Sequence, residues 1–262
     1  MSARVGVVFR PDFRPDTLRE TALAAERAGV AELWLWEDCF LQGGIAAAAV
    51  ALASSETLTV GLGVLPAPLR NVVATAMEIA TLEAMFPGRI RVGIGHGVQE
   101  WMRQAGAAVA SPLTLMREYV TALSDLLAGR SVTVDGRYVR LADVRLDWPP
   151  QQRVPVLIGG TGPKTLALAG EIADGVILDS QYTVTTLRDA LGHAASGRPD
   201  RRDAPFSTVL FLACNADQVA GSADPYLDAG VETLVFQPDG PQAVMPELIT
   251  AVGDVAARLQ AT

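Results

Sequence analysis

Short runs of β-branched and aromatic residues alternate with amphipathic segments along the whole chain, the pattern of parallel strands joined by crossover helices. The apolar runs predict eight strands, at residues 5–9, 32–36, 59–64, 90–95, 155–158, 175–178, 206–213 and 233–237. The first helix is predicted to start at Asp16 as N-cap. It turns Leu18, Ala22, Ala25 and Ala28 to one face and stops at Gly29. A second clear helix, 113–128, places Met116, Tyr119, Leu123 and Leu127 inward and stops at Gly129. Eight strand–helix repeats in 262 residues predict the α/β class and a (β/α)8 TIM barrel, one domain over 1–262. One segment breaks the rhythm: residues 131–152, before the fifth strand, form an insertion outside the barrel. Its Asp135-Gly136 pair predicts a tight hairpin, and Trp148-Pro149-Pro150 stiffens the return, covering a helix or making a subunit contact. Residues 198–205 are expected as an exposed loop.

The fifth strand runs into Gly159-Gly160-Thr161-Gly162-Pro163-Lys164, three glycines in four residues and then proline at a helix start. Any short β–α turn favours glycine and proline for geometric reasons. The same features build an anion site, because glycines let backbone N–H groups approach a ligand and the first helical turn has unpaired donors at a positive dipole end. Lys164 favours the anion reading, since a cation in a first turn opposes the dipole unless an anion offsets it.

Half of the residues are hydrophobic, enough for a large core. A net charge of −8 without a basic stripe argues against sequence-independent nucleic-acid binding. Two cysteines make no disulfide framework, and a reducing compartment is the simpler reading. The amino terminus lacks the pattern of a signal peptide, and the longest apolar stretch is shorter than the roughly 20 residues of a membrane span. These features place the protein in the cytoplasm, with no membrane partner.

In a β/α barrel the site forms at the carboxyl ends of the strands. Glu37-Asp38-Cys39-Phe40 follows the second strand, Gly63-Val64 ends the third, and Gly95-His96-Gly97-Val98-Gln99-Glu100-Trp101 closes the fourth. Asp179-Ser180-Gln181 follows the sixth. Glycines at the third, fourth and fifth mouths would let a flat ligand lie against backbone. Asp38, Cys39, His96 and Glu100 are the candidate proton-handling groups. His96, between two glycines at a strand end, reads as a site residue, whereas His193 on a helix reads as surface. Trp34 and Trp36 read as barrel packing, Trp101 as pocket wall or core, and Arg10 as facing an anionic ligand or water. Two distant histidines and no cysteine cluster predict no metal site.

Ile94-Gly95-His96-Gly97 and the block 155–178 carry a resemblance, over nearly the whole chain, to the bacterial-luciferase-like superfamily of flavin- and deazaflavin-dependent oxidoreductases. The chain most resembles the coenzyme F420-dependent branch that includes methylenetetrahydromethanopterin reductase. The resemblance implies a cofactor ring in the barrel mouth, its phosphate on the backbone of Gly159, Gly160, Thr161 and Gly162, and Gly95, His96 and Gly97 along the ring edge. It also implies a non-proline cis peptide at Gly63-Val64 beneath the ring. Asp38 matches the family's acid after the second strand. Cys39 stands where many coenzyme F420 enzymes have histidine, and Val98 where some relatives have a carboxylate, which Glu100 would have to replace. The resemblance further implies a homodimer through the helix after Gly44 and the third helix, 77–85.

The expected activity is hydride transfer between the deazaflavin and a small organic substrate. The alternatives are an FMN-dependent monooxygenase, a flavin-binding relative without catalysis, and an unrelated barrel enzyme that uses the anion turn for a sugar phosphate.

Overall fold

The computed structural model describes residues 3–200 and 204–261. Eight parallel strands close into a barrel. In chain order the first part runs β1 (Arg4–Val8), α1 (Leu18–Arg27), β2 (Glu32–Leu35), α2 (Gly44–Ser54), β3 (Thr59–Pro66), α3 (Val72–Met85), β4 (Ile90–Gly95), α4 (Gln99–Gln104) and α5 (Pro112–Leu127). The insertion supplies β5 (Val132–Asp135) and β6 (Arg140–Val144), an antiparallel pair outside the barrel. The chain then continues with β7 (Val156–Gly159), α6 (Pro163–Ile172), β8 (Gly175–Leu178), α7 (Val184–Ser196), β9 (Ser207–Cys214), α8 (Ala216–Asp228), β10 (Thr233–Pro238) and α9 (Met245–Gln260). Around the barrel the strands follow the order β1-β10-β9-β8-β7-β4-β3-β2, with β2 pairing back to β1. All eight predicted strands are present, with ends shifted by a residue or two.

Alternation along the strands divides the core into two layers. One face of each strand packs under the helices. The other fills the lumen with Val8, Trp34, Leu157, Ile177, Val209, Phe211 and Val235. β3 and β4 contribute almost no bulk to that lumen, because their inward positions include Gly61, Gly63, Gly93 and Gly95. The fully buried Trp34 ring takes the room beside β3, where a Cβ at Gly61 would overlap it, and Ile177 and Val64 take the room beside β4. At the base of the barrel Glu32 accepts from the Trp34 indole N–H at 2.8 Å and from Arg91 at 2.9 Å, and Arg91 donates to Thr233 at 2.8 Å. These partners satisfy a carboxylate and a guanidinium that would be costly to bury alone.

Four local expectations change. Thr17, not Asp16, caps α1, because a 3-10 turn at Pro15–Thr17 precedes the helix and Asp16 pairs with Arg14 at 2.5 Å. The hairpin is not a two-residue Asp-Gly turn, since Asp135 pairs with Arg140 and four residues connect the strands. Glu118 on α5 holds that longer loop, accepting from the backbone N–H groups of Arg137, Tyr138 and Val139 at 2.8–3.0 Å. Trp148 covers no helix and is 85% exposed. Of the expected loop 198–205, residues 201–203 lie outside the described residues, and Arg198 is buried with its guanidinium over the Phe206 ring. Gly29 and Gly129 take left-handed φ values of 75° and 73°, as helix stops do.

Gly61→Ala is expected to destabilise the protein by about 1–3 kcal/mol through overpacking against Trp34. A urea midpoint equal to that of the parent would show that the ring has room to move.

Candidate active site at the barrel mouth

The floor of the mouth is a single valine. Gly95 on β4 and Gly159 on β7 are the positions where a Cβ would overlap the Val64 side chain. Those glycines therefore admit Val64, which is half-buried in the cavity lining, and Gly95 and Gly159 line the cavity beside it. The Gly63–Val64 peptide is cis, as is Cys39–Phe40. The Glu37 N–H donates to the Val64 carbonyl at 3.2 Å and ties the end of β2 to this floor.

Above Val64 opens a cavity of about 600 Å³. After β2, Trp36, Asp38 and Cys39 form one wall, and Trp36 stacks on Phe211 with ring centroids 5.8 Å apart. Trp36 is thus a cavity wall as well as packing. His96, Gly97 and Trp101 come from the β4 side, and Gly97 takes φ 67°, a conformation that favours glycine. Gly160, Thr161, Gly162 and Thr165 come from the β7 side, with Asp179 after β8 and Gln237 on β10.

The glycine turn leads into α6 with Gly162 as N-cap and no side chain capping it. Among the described residues nothing accepts from the N–H groups of Thr161, Gly162 and Lys164. Gly162 has open space where a Cβ would stand. Gly160 differs from the expectation, because its N–H donates to the Ile177 carbonyl at 3.3 Å and its missing Cβ makes room for Thr165. The Tyr182 hydroxyl donates to the Thr161 carbonyl at 3.0 Å and pins the loop. The open donors therefore lie one residue later than the glycine pair suggested.

Four titratable groups were expected to act, and three line the cavity. Asp38 is half-buried, and its Oδ2 accepts from the Trp36 indole at 2.8 Å. Burial raises its pKa; the indole N–H opposes this, and the charge of Asp12 adds to it. Burial, Asp38 and Glu37 hold the Cys39 thiol above its ordinary range, which keeps it protonated and a poor base. His96 Nε2 shares a hydrogen bond with Thr165 Oγ1 at 2.9 Å, while its buried Nδ1 has no partner. Burial pushes the imidazole pKa down, and the Pro112 backbone opposes this. Glu100 is not brought into the cavity; it is exposed on α4 and paired with Arg103. Glu37, also in the lining, is held by Arg70 at 2.9 and 2.5 Å. Arg10 faces no open ligand position, since it donates to Asp12 and to the Pro238 and Gly240 carbonyls. His193 is exposed, as expected. Among the described residues no group of three His, Cys, Asp or Glu side chains is placed to hold a metal ion.

The sequence profile described as luciferase-like monooxygenase matches residues 3–252. The chain belongs to the luciferase-like monooxygenase family. It is 28% identical over 243 residues to 5,10-methylenetetrahydromethanopterin reductase of Methanolobus tindarius, covering 90% of this chain and 74% of that protein. It is 31% identical over 256 residues to the F420-dependent glucose-6-phosphate dehydrogenase of Nakamurella multipartita, covering 81% of this chain and 74% of the relative. Other curated relatives are matched over 61–66% of their length. In three dimensions the chain is similar to an F420-dependent secondary alcohol dehydrogenase bound to an F420–acetone adduct, with a TM-score of 0.86, 18% identity, and coverage of 98% of this chain and 100% of that one.

Thr165 and Phe211 are among the lining residues that escaped sequence reasoning. Thr165 lies one turn into α6, where only the fold shows that it reaches His96. Phe211 was legible in principle, because it shares the alternate-position face of β9 with Val209.

Because the folded state disfavours the His96 cation, the unfolded chain takes up this proton first as pH falls below about 6.5. His96 therefore contributes stability that is fully present above that pH and lost as pH falls through its folded pKa. His96→Gln is expected to flatten the fall in unfolding free energy between pH 7.5 and 5.5, read by urea titration. An unchanged slope would count against a buried neutral imidazole.

Proposed function

We propose that the protein is an oxidoreductase that moves a hydride between the deazaflavin coenzyme F420 and a small organic substrate. One observation carries the reading: a single cavity joins the open N–H groups of Thr161 and Gly162 to the Asp38 wall past Val64. Unpartnered donors at a helix start fit a phosphate, and a floor of one side chain beside the flat Trp36 and Trp101 fits a planar ring. The named activities of the F420-dependent relatives support the same choice.

On this reading Thr161 and Gly162 bind the phosphate, and Val64, Gly97 and Trp36 bound the ring space. When bound, the deazaflavin supplies two-electron hydride chemistry. Asp38 holds or takes the substrate proton, since its raised pKa keeps a proton available nearer neutrality and its Oδ1 has no partner among the described residues. Trp36 fixes the orientation of that carboxyl group. Neutral His96, held by Thr165, lines the cavity without adding charge. Cys39 is a cavity wall. The aromatic walls exclude water from the reacting atoms.

The family's description as monooxygenases favours FMN chemistry as the second reading. Anaerobic fluorescence titration separates the two: micromolar binding of coenzyme F420 with weak binding of FMN is expected. Gly162→Asp should weaken the deazaflavin by about tenfold or more, because the new carboxylate stands in open space at the loop without displacing a neighbour. Asp38→Asn should leave that affinity unchanged and abolish most turnover. Preference for FMN would move the chemistry to oxygenation, and binding of neither would end the cofactor assignment. Steady turnover excludes a non-catalytic carrier.

The reading includes a homodimer through α2 and α3, where Val50, Met77 and Met85 are exposed apolar residues. Light scattering should give twice the 27.6 kDa chain mass, and a monomer would reject it.

A further inference from the structure

The cavity has a marked charge asymmetry that the cofactor reading leaves unused. Among the described lining residues Glu37, Asp38 and Asp179 carry carboxylates, and none carries an ammonium or guanidinium group. Asp12 and Glu78 stand behind the same wall, and the cations that face them are committed. Arg10 is held by Asp12 at 3.0 and 2.8 Å, and Arg70 by Glu37 and by Glu78 at 2.8 Å. Five carboxylates thus face two guanidiniums. Lys164 is exposed on α6, outside the lining, beside the anion loop. His96 is half-buried, which disfavours its cation. The walls outside the ring space are flat and apolar: Trp101 and Phe211. Asp38 is half-buried and Asp179 exposed at the mouth, so an anion placed among them would meet like charge and would find no cation in the lining to offset it.

We infer that the substrate of this site is a flat, apolar molecule without negative charge, and that Asp38 and Asp179 select against carboxylates and phosphate esters. The inference rests on the proposed reading in one respect, that the open N–H groups of the Thr161–Gly162 loop serve the cofactor's phosphate and are not free for the substrate. The named activity of the glucose-6-phosphate relatives is therefore not expected of this chain, whose lining offers a second phosphate no partner.

Three probes with one naphthalene body test the selection: 2-naphthalenemethanol, 2-naphthylmethylamine and 2-naphthoate. Their binding is measured by equilibrium dialysis, with the protein alone and saturated with coenzyme F420, whose own binding is read from its fluorescence. The alcohol and the amine are expected to bind, and the carboxylate to bind about tenfold more weakly or worse than the alcohol. In the Asp38→Asn/Asp179→Asn double variant that gap should close to about threefold or less. Equal binding of alcohol and carboxylate by the parent protein, an unchanged gap in the variant, or binding of none of the three would overturn the inference. If coenzyme F420 fails to bind while the charge order persists, the cofactor reading falls and the selection stands. If the cofactor binds and the order is absent, only the selection falls.

Discussion

The indole of Trp34 fills the barrel lumen, and Gly61 and Gly63 of β3 leave the room that this ring takes. Its N–H is buried and must be satisfied, so Glu32 is buried with it, and Arg91 and Thr233 follow to neutralise and bond that carboxylate. Trp34 packs edge-on against Phe211 and takes the room beside Gly61 and Gly63. Val64 enters the space left between Gly95 and Gly159 and becomes the cavity floor.

A second coupling joins the two ends of the glycine turn. Gly160 is small because Thr165 lies against it, and Thr165 is placed to hold His96. The turn that offers N–H groups to an anion at Thr161 and Gly162 also orients the imidazole across the mouth. A side chain at Gly160 would therefore act on both at once, whereas one at Gly162 would act on the anion position alone. The wall after β2 is organised differently. Arg70 takes Glu37 out of play, and burial acts on Asp38 and Cys39 in the same direction, so three adjacent polar residues present one usable carboxyl group.

Much of this was legible without coordinates. Alternating apolar runs and helix stops such as Gly29 and Gly129 mark strands and helices through local chemistry that acts within a few residues. Eight such repeats have few ways to close. The glycine-rich turn and the cluster Glu37-Asp38-Cys39 were readable because strand ends in a barrel converge on one face. The hairpin loop was misread because the residue that shapes it, Glu118, lies on another element. Asp16 was misread as a cap because a local ion pair with Arg14 and a 3-10 turn competed for it.

The sequence by itself determined the order of elements, the barrel and the set of strand-end residues, since each follows from periodicity, turn chemistry and the handedness of β–α units. Only the tertiary structure decided what each strand-end residue faces. A glycine is silent about whether its missing side chain makes room for a ligand or for a neighbour, and Gly95, Gly159 and Gly160 make room for neighbours. A carboxylate is equally silent about its partner: Glu37 and Glu100 meet arginines, while Asp38 meets an indole N–H and the cavity. Those outcomes depend on contacts between residues distant in the chain, which no local pattern encodes.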